Sequence, residues 1–392
     1  MVKPIGLYLH IPFCRGKCPY CDFYSMRADK AYMDTYLHAL QKSLEQWADR
    51  IGRAADTLYL GGGTPSLLGG ARIAALVQTA RDCYGLRGAE ITVECNPSDA
   101  DEQLFEALAG AGINRISLGL QSAVEEERKA LGRRAGVKEA AESIRLARAA
   151  GIKNLSLDLM LGIPGQTAES LRRSIDFCAQ AGVCHISAYL LKIEEGTLFA
   201  RRRASLVLPN EDTVCDLYEQ ACEELEAAGF QQYEISNFAR PGFESRHNLK
   251  YWNAEEYLGL GASAHSFLGR KRFFYPRDRD AFLRGEGPIQ DGEGGSFEEY
   301  AMLRMRLADG LIESLVRQRY GCGIPPYMRE SARRMEQYGL ASQDEDGIRL
   351  TRKGFLLSNT VIAELLYPAG GTAPGLPGRL DGPARRVGLG PL

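Results

Sequence analysis

Cys14, Cys18 and Cys21 stand in the stretch HIPFCRGKCPYCDFY, so three thiols fall within eight residues. Thiolates gathered on one short loop are the usual ligand set of an iron–sulfur cluster. Three ligands cannot fill a four-iron cluster. The fourth iron is left open to a small molecule, as a catalytic metal site keeps one position for its substrate. A structural zinc site completed by His10 or Asp22 is the alternative, although such sites usually pair two knuckles and only one is present here. The run GLYLHI directly before the loop reads as a strand.

The elements that must position these thiols follow from periodicity. Between about residue 6 and about residue 191, short β-rich runs alternate with amphipathic stretches such as YMDTYLHALQKSLEQWA. Strands are predicted at Gly6–Ile11, Thr57–Leu60, Glu90–Glu94, Arg115–Leu120, Asn154–Leu159 and His185–Leu191. Several helices end in AGI, AGV or AGF, where glycine takes a left-handed cap and the next residue opens a strand. Repeated strand–helix units imply a parallel α/β sheet with right-handed crossovers. Six units are too few for an eight-unit barrel and predict an open, partial TIM-like barrel.

In such folds the chemistry gathers at the carboxyl ends of the strands. The cysteine loop follows the first strand and Gly61-Gly62-Gly63-Thr64-Pro65 the second. Glu94 and Asn96 end the third, Gln121 and Ser122 follow the fourth, and Asp158 ends the fifth. The triple glycine is either a tight turn or a backbone that approaches a ligand closely. Neither GxxxxGK[ST] nor GxGxxG follows, which disfavours phosphate cradling. Glu94 and Asp158 could equally pair with Arg115 or Arg133 across the barrel mouth.

The chain has 392 residues, 45% hydrophobic and 25% charged, enough for two or three domains with real cores. A formal net charge of −2 gives no general pull toward nucleic acid or an anionic membrane. The start reads as neither a signal peptide nor a membrane span, and the ten cysteines then imply reduced thiols in a cytoplasm. The seven outside the loop read as buried small residues.

The cysteine spacing, with an aromatic residue just before the third thiol, resembles that of the radical S-adenosylmethionine (SAM) superfamily. The resemblance implies a 4Fe-4S cluster whose open iron is chelated by SAM, and cleavage of SAM to a 5′-deoxyadenosyl radical. It also implies the partial barrel. The stretches LYLGGGTPS, ECNP, RISLGLQS, DLMLGIPGQT and ISAYLL add a likeness to oxygen-independent coproporphyrinogen III oxidase and its relatives, over about residues 5–270. On that likeness Tyr8, Gly62, Gly63, Thr64, Glu94, Gln121, Arg133 and Asp158 would contact SAM.

Two branches of that family differ near the cluster. The oxidases carry a further cysteine two residues after the third, where this chain has Phe23, and an arm ahead of the loop, where it has 13 residues. Both departures resemble the haem-chaperone branch, which passes haem to an acceptor such as a membrane respiratory enzyme. Porphyrinogen decarboxylation is the alternative, and either chemistry needs an electron donor. That branch carries HNxxYW, present here as His247 to Trp252. Imidazole is a common axial ligand of haem iron, and Tyr251 and Trp252 would offer flat apolar faces. Without the resemblance, the motif reads as a capped turn with core aromatics. His265 is a second candidate, read as a buried hydrogen-bonded histidine.

Residues 1–230 are thus expected to form the barrel, and 231–296 an accessory strand and loop region carrying HNxxYW. Residues 297–367 should form a small winged-helix-like domain with helices and an Asp346-Gly347 turn. Acidic neighbours of its arginines disfavour DNA. Residues 368–392, rich in glycine and proline, are expected to be disordered.

Overall fold

The computed structural model describes residues 3–368. Six parallel strands run in chain order through its centre: β1 (Ile5–Ile11), β2 (Ala55–Gly62), β3 (Glu90–Cys95), β4 (Arg115–Gln121), β5 (Asn154–Leu161) and β6 (His185–Leu190). The helices that return the chain, among them Lys30–Ile51, Gly70–Tyr84, Val137–Ala149 and Ala168–Ala181, cover the outer face. This is the expected α/β partial barrel. The glycines of the four AG sequences, Gly112, Gly151, Gly182 and Gly229, all have positive φ, as left-handed helix ends require.

Strand parity divides the residues between two environments. Leu7, Leu9, Leu58, Leu60, Ile116, Leu118, Leu155 and Leu157 are fully buried. Their alternates are polar or aromatic and meet one another across the concave side: Tyr8 lies against Tyr59, Tyr59 bonds Glu94, Ser117 bonds Asp158, and Ser156 bonds His185. Parallel strands buried on both faces normally read as continuous apolar runs. This alternation marks a lumen lined by hydrogen-bonding groups.

The region 231–296 continues the same sheet at both edges. The hairpin β7 (Gln231–Glu234) and β8 (Asn237–Ala239) pairs with β6, and β9 (Tyr257–Leu260) lies parallel to β1. Strands β10 (His265–Leu268), β11 (Lys271–Phe274) and β12 (Ile289–Glu293) follow antiparallel beyond β9, giving a twelve-stranded sheet. Between β8 and β9 the helix Arg246–Trp252 crosses beneath the amino ends of β1 and β2.

Past Phe297 the chain forms a small helical domain with a three-stranded antiparallel sheet, β13 (Leu311–Ile312), β14 (Ala341–Asp344) and β15 (Gly347–Leu350). Asp344 and Gly347 pair at the turn between β14 and β15, the place expected for a wing. The expected tail lies, from residue 369 onward, outside the described residues. Among the described residues no helix is long and apolar enough to cross a membrane.

Candidate active site and cluster loop

The loop from Pro12 to Asp29 carries the three cysteines and is held at both ends. The Cys14 amide donates to the Met26 carbonyl and the Met26 amide to the Pro12 carbonyl, closing the loop onto its own exit. Asp29 then caps the helix Lys30–Ile51, its side chain accepting from the Tyr32 amide at 2.8 Å. Within the loop the Cys21 amide donates to the Cys18 carbonyl at 3.1 Å, a tight turn. The Phe199 amide reaches the Pro19 carbonyl from outside. Cys14, Cys18 and Cys21 are half-buried and unpaired.

Burial, with smaller contributions from the charges of Cys18 and Cys14, pushes the Cys21 thiol up to about 11. A cationic iron centre would stabilise the Cys21 thiolate against this burial. Among the described residues no three His, Cys, Asp or Glu side chains converge on one metal ion. A cluster asks for a wider spread, since each thiolate takes a different iron. The candidates for a fourth zinc ligand are committed elsewhere. His10 has Nδ1 3.0 Å from the Tyr8 hydroxyl and Nε2 2.9 Å from the Tyr24 carbonyl. Asp22 pairs with Arg277.

The glycine segment runs alongside the loop. Amides of Gly63 and Thr64 donate to the carbonyls of Ile11 and Phe13. A Cβ on Gly63 would stand 2.7 Å from the Phe13 oxygen, so only glycine permits this approach. The Thr64 hydroxyl lies 3.4 Å from Cys14 Sγ.

Below the loop, Glu94 accepts from the Tyr59 hydroxyl at 2.8 Å and the Gly62 amide at 3.1 Å. Burial pushes its carboxyl up to about 7, against the pull of the Tyr59 bond. Asp158, bonded by Ser117 at 3.1 Å, is also raised by burial. Gln121 ends β4 at φ 73°, a left-handed conformation costly for a side chain of this kind. Arg133 bonds the Gly119 carbonyl and Cys18. Thr64 and Arg133 thus adjoin Cys14 and Cys18, Gly62 and Glu94 are joined to each other, and Tyr8 lies deeper in the lumen, its ring 6.5 Å from that of His247.

His247, Tyr251 and Trp252 are elsewhere, at the opposite end of the lumen. The His247 ring has Nδ1 2.7 Å from the Thr57 hydroxyl and Nε2 2.7 Å from the Tyr251 hydroxyl. It stacks on Tyr59 at 5.3 Å, and burial lowers its pKa to about 3. Gly6 leaves the room for this ring, since a Cβ there would lie 3.3 Å from it. Glu90 accepts from the amides of Arg246 and His247 and anchors the start of the helix. Trp252 is buried in the core with Arg306 over its ring. In this ligand-free arrangement His247 and Trp252 are buried, and both nitrogens of His247 are hydrogen-bonded within the protein. His265 opens β10, between β9 and β11, and is half-buried and stacked on Phe274.

Sequence reasoning treated Arg115 only as a partner for the lumen carboxylates. It is 2% exposed, and its Nε, like the hydroxyl of Thr92 beside it in register, has no hydrogen-bond partner among the described residues. The Glu90 charge raises its pKa, although burial opposes this. The signal available was an arginine opening a strand whose register places it inward.

Known proteins resemble this chain in sequence and in fold. The sequence pattern of the radical SAM superfamily matches residues 8–178, and that of the HemN C-terminal domain matches residues 297–357. Haem chaperone HemW of Mycobacterium tuberculosis is 38% identical over 379 residues, covering 93% of this chain and 95% of the relative. The HemW of Escherichia coli is 42% identical over 270 residues (68% and 71%), and that of Bacillus subtilis 32% over 372 (92% and 98%). Coproporphyrinogen III oxidase (HemN) from Escherichia coli superposes with a TM-score of 0.80 at 24% identity, over 93% of this chain and 90% of that one, a likeness of fold.

Proposed function

The chain belongs to the radical SAM superfamily and, within the oxygen-independent coproporphyrinogen III oxidase-like family, to the HemW branch, and from that membership we propose that it binds haem and hands it to an acceptor protein. Membership implies a 4Fe-4S cluster and SAM. The observation that carries the reading is the juxtaposition of Cys14, Cys18 and Cys21 with a mouth of polar groups at the strand ends. The cluster and SAM would together supply reductive cleavage of the sulfonium.

The chain's own residues would do the following. Cys14, Cys18 and Cys21 hold three irons and leave the fourth for SAM. The backbone of Gly62 and Gly63, with Tyr8 and Thr64, lines the methionyl end. Glu94, already near neutrality in its ionisation, gives a carboxylate to a cation that enters. Gln121, Arg133 and Asp158 line the remaining wall.

The oxidase alternative draws on the HemN fold, and Phe23 in place of a fourth cysteine counts against it. Haem ligation by His247 would use one ring nitrogen, and so would require breaking its hydrogen bond to Thr57 or to Tyr251 and exposing a ring that is now buried. Anaerobic reconstitution followed by haem titration, with porphyrinogen decarboxylation assayed in parallel, tests the reading. One haem bound per chain without protoporphyrinogen supports it.

A further inference from the structure

Arg115 is buried in the lumen without a salt bridge among the described residues, and its Nε has no acceptor. The two imidazoles on which its charge bears are engaged at both nitrogens, His185 by Ser156 and Tyr233, His247 by Thr57 and Tyr251. A guanidinium buried without a paired carboxylate is costly, so its placement calls for a cause beyond direct contact. Register supplies one. Along β3 Glu90, Thr92 and Glu94 share one face, and Arg115 of β4 is the partner of Thr92, midway between the two carboxylates. Two residues further along β4, Ser117 is the partner of Glu94 and bonds Asp158 at 3.1 Å. The lumen therefore carries charges of alternating sign from floor to mouth. Glu90 is fixed by the amides of Arg246 and His247, Arg115 follows, and Glu94 with Asp158 comes next.

Burial is the main obstacle to ionising Glu94, and the charge of Asp158 adds to it, whereas Arg115 favours both carboxylates. The other titratable groups around Glu94 are not cationic near neutrality. They are Tyr8 of β1, Tyr59 of β2 and Tyr251 of the floor helix, with His10 beside Gly62 kept neutral by its burial. Resting on the radical SAM reading, we propose that Arg115 is a positioning residue for SAM, supplying from below the counter-charge against which Glu94 and Asp158 meet the sulfonium as a pair of carboxylates. Arg115 lies one layer beneath them and acts through them. Opposite charges this close in a buried place interact far more strongly than they would in water.

The test uses the full chain, anaerobically reconstituted with its cluster, and measures SAM affinity by equilibrium dialysis across neutral pH. The amine of SAM titrates identically for every variant, so the difference from the parent is what is read. Arg115→Met should carry the rising limb of affinity upward by about one pH unit, because losing a nearby opposite charge raises a carboxyl pKa by that order. Affinity near pH 7 should then fall by up to about tenfold and converge with that of the parent on the alkaline side. Arg115→Lys keeps the charge and should follow the parent's profile. Visible cluster absorbance should be the same in all three. Equal weakening at every pH, which a merely structural role would give, overturns the proposal, as does an unshifted limb. If Arg115→Met does not fold, Arg115→Lys decides: a parent-like profile supports the proposal, and a limb displaced upward overturns it. A parent chain that assembles no cluster, or binds no SAM at any pH, overturns the radical SAM reading instead, and the proposal with it.

Discussion

The imidazole of His247 and the hydroxyl of Thr57 meet at 2.7 Å inside the barrel, 190 residues apart in the chain. Through this bond a short helix closes the amino end of the lumen, directly under Tyr59, whose hydroxyl holds Glu94. Replacing His247 by alanine would orphan the hydroxyls of Thr57 and Tyr251 and open a void. The expected cost is about 3 kcal/mol, read from the denaturant midpoint at unchanged slope. The Soret band of the haem-loaded chain should survive, because the ring is not free; its disappearance would mean that the helix lifts and His247 ligates.

The cysteines separate cleanly by role. Alanine at Cys14, Cys18 or Cys21 should abolish stable iron and sulfide binding, since two thiolates cannot hold the cluster. Cys215, whose pKa is raised by its own burial and then by its acidic neighbours, should be replaceable with iron content intact. Iron and acid-labile sulfide analysis checks both expectations.

Gly63→Ala puts a methyl group against the Phe13 carbonyl, a backbone atom that cannot rotate away. Overpacking of this kind costs about 1–3 kcal/mol. Because the strain falls on the strand that pins the cysteine loop, cluster loading should drop together with the melting temperature.

Glu94 makes stability depend on pH in a definite direction. Its folded pKa, about 7, lies above the ordinary carboxylate value, so the folded state holds the proton more tightly than the unfolded chain. The contribution is fully present below the unfolded pKa and is lost as pH rises through about 7. Urea unfolding of the ligand-free chain across this window should show the loss, and Glu94→Gln should flatten it. A cation bound beside Glu94 would draw its pKa down, so SAM affinity should rise as pH passes through about 7.

Much of this was legible in the sequence, for reasons that separate local from distant causes. The six strands and their cap glycines follow from short-range periodicity, and the cysteine loop from spacing. Glu94, Gln121 and Asp158 fall on one mouth because strand ends in a parallel sheet share an edge. That the strands between residues 231 and 296 extend the barrel sheet escaped notice because they are three to five residues long and β9 returns to β1 across the whole barrel. The environment of His247 depends on Gly6, Thr57 and Glu90, none of them near it in sequence. A histidine beside two aromatics reads the same whether it faces a ligand or a core.

The most direct test of the account is a haem titration of the anaerobically reconstituted chain, followed by visible absorbance, with SAM cleavage and porphyrinogen turnover measured on the same sample. The account predicts stoichiometric haem binding to a chain that carries its cluster, with no protoporphyrinogen formed. Absence of haem binding, with rapid SAM cleavage on coproporphyrinogen, would contradict it and make the chain an oxidase that works with phenylalanine at position 23.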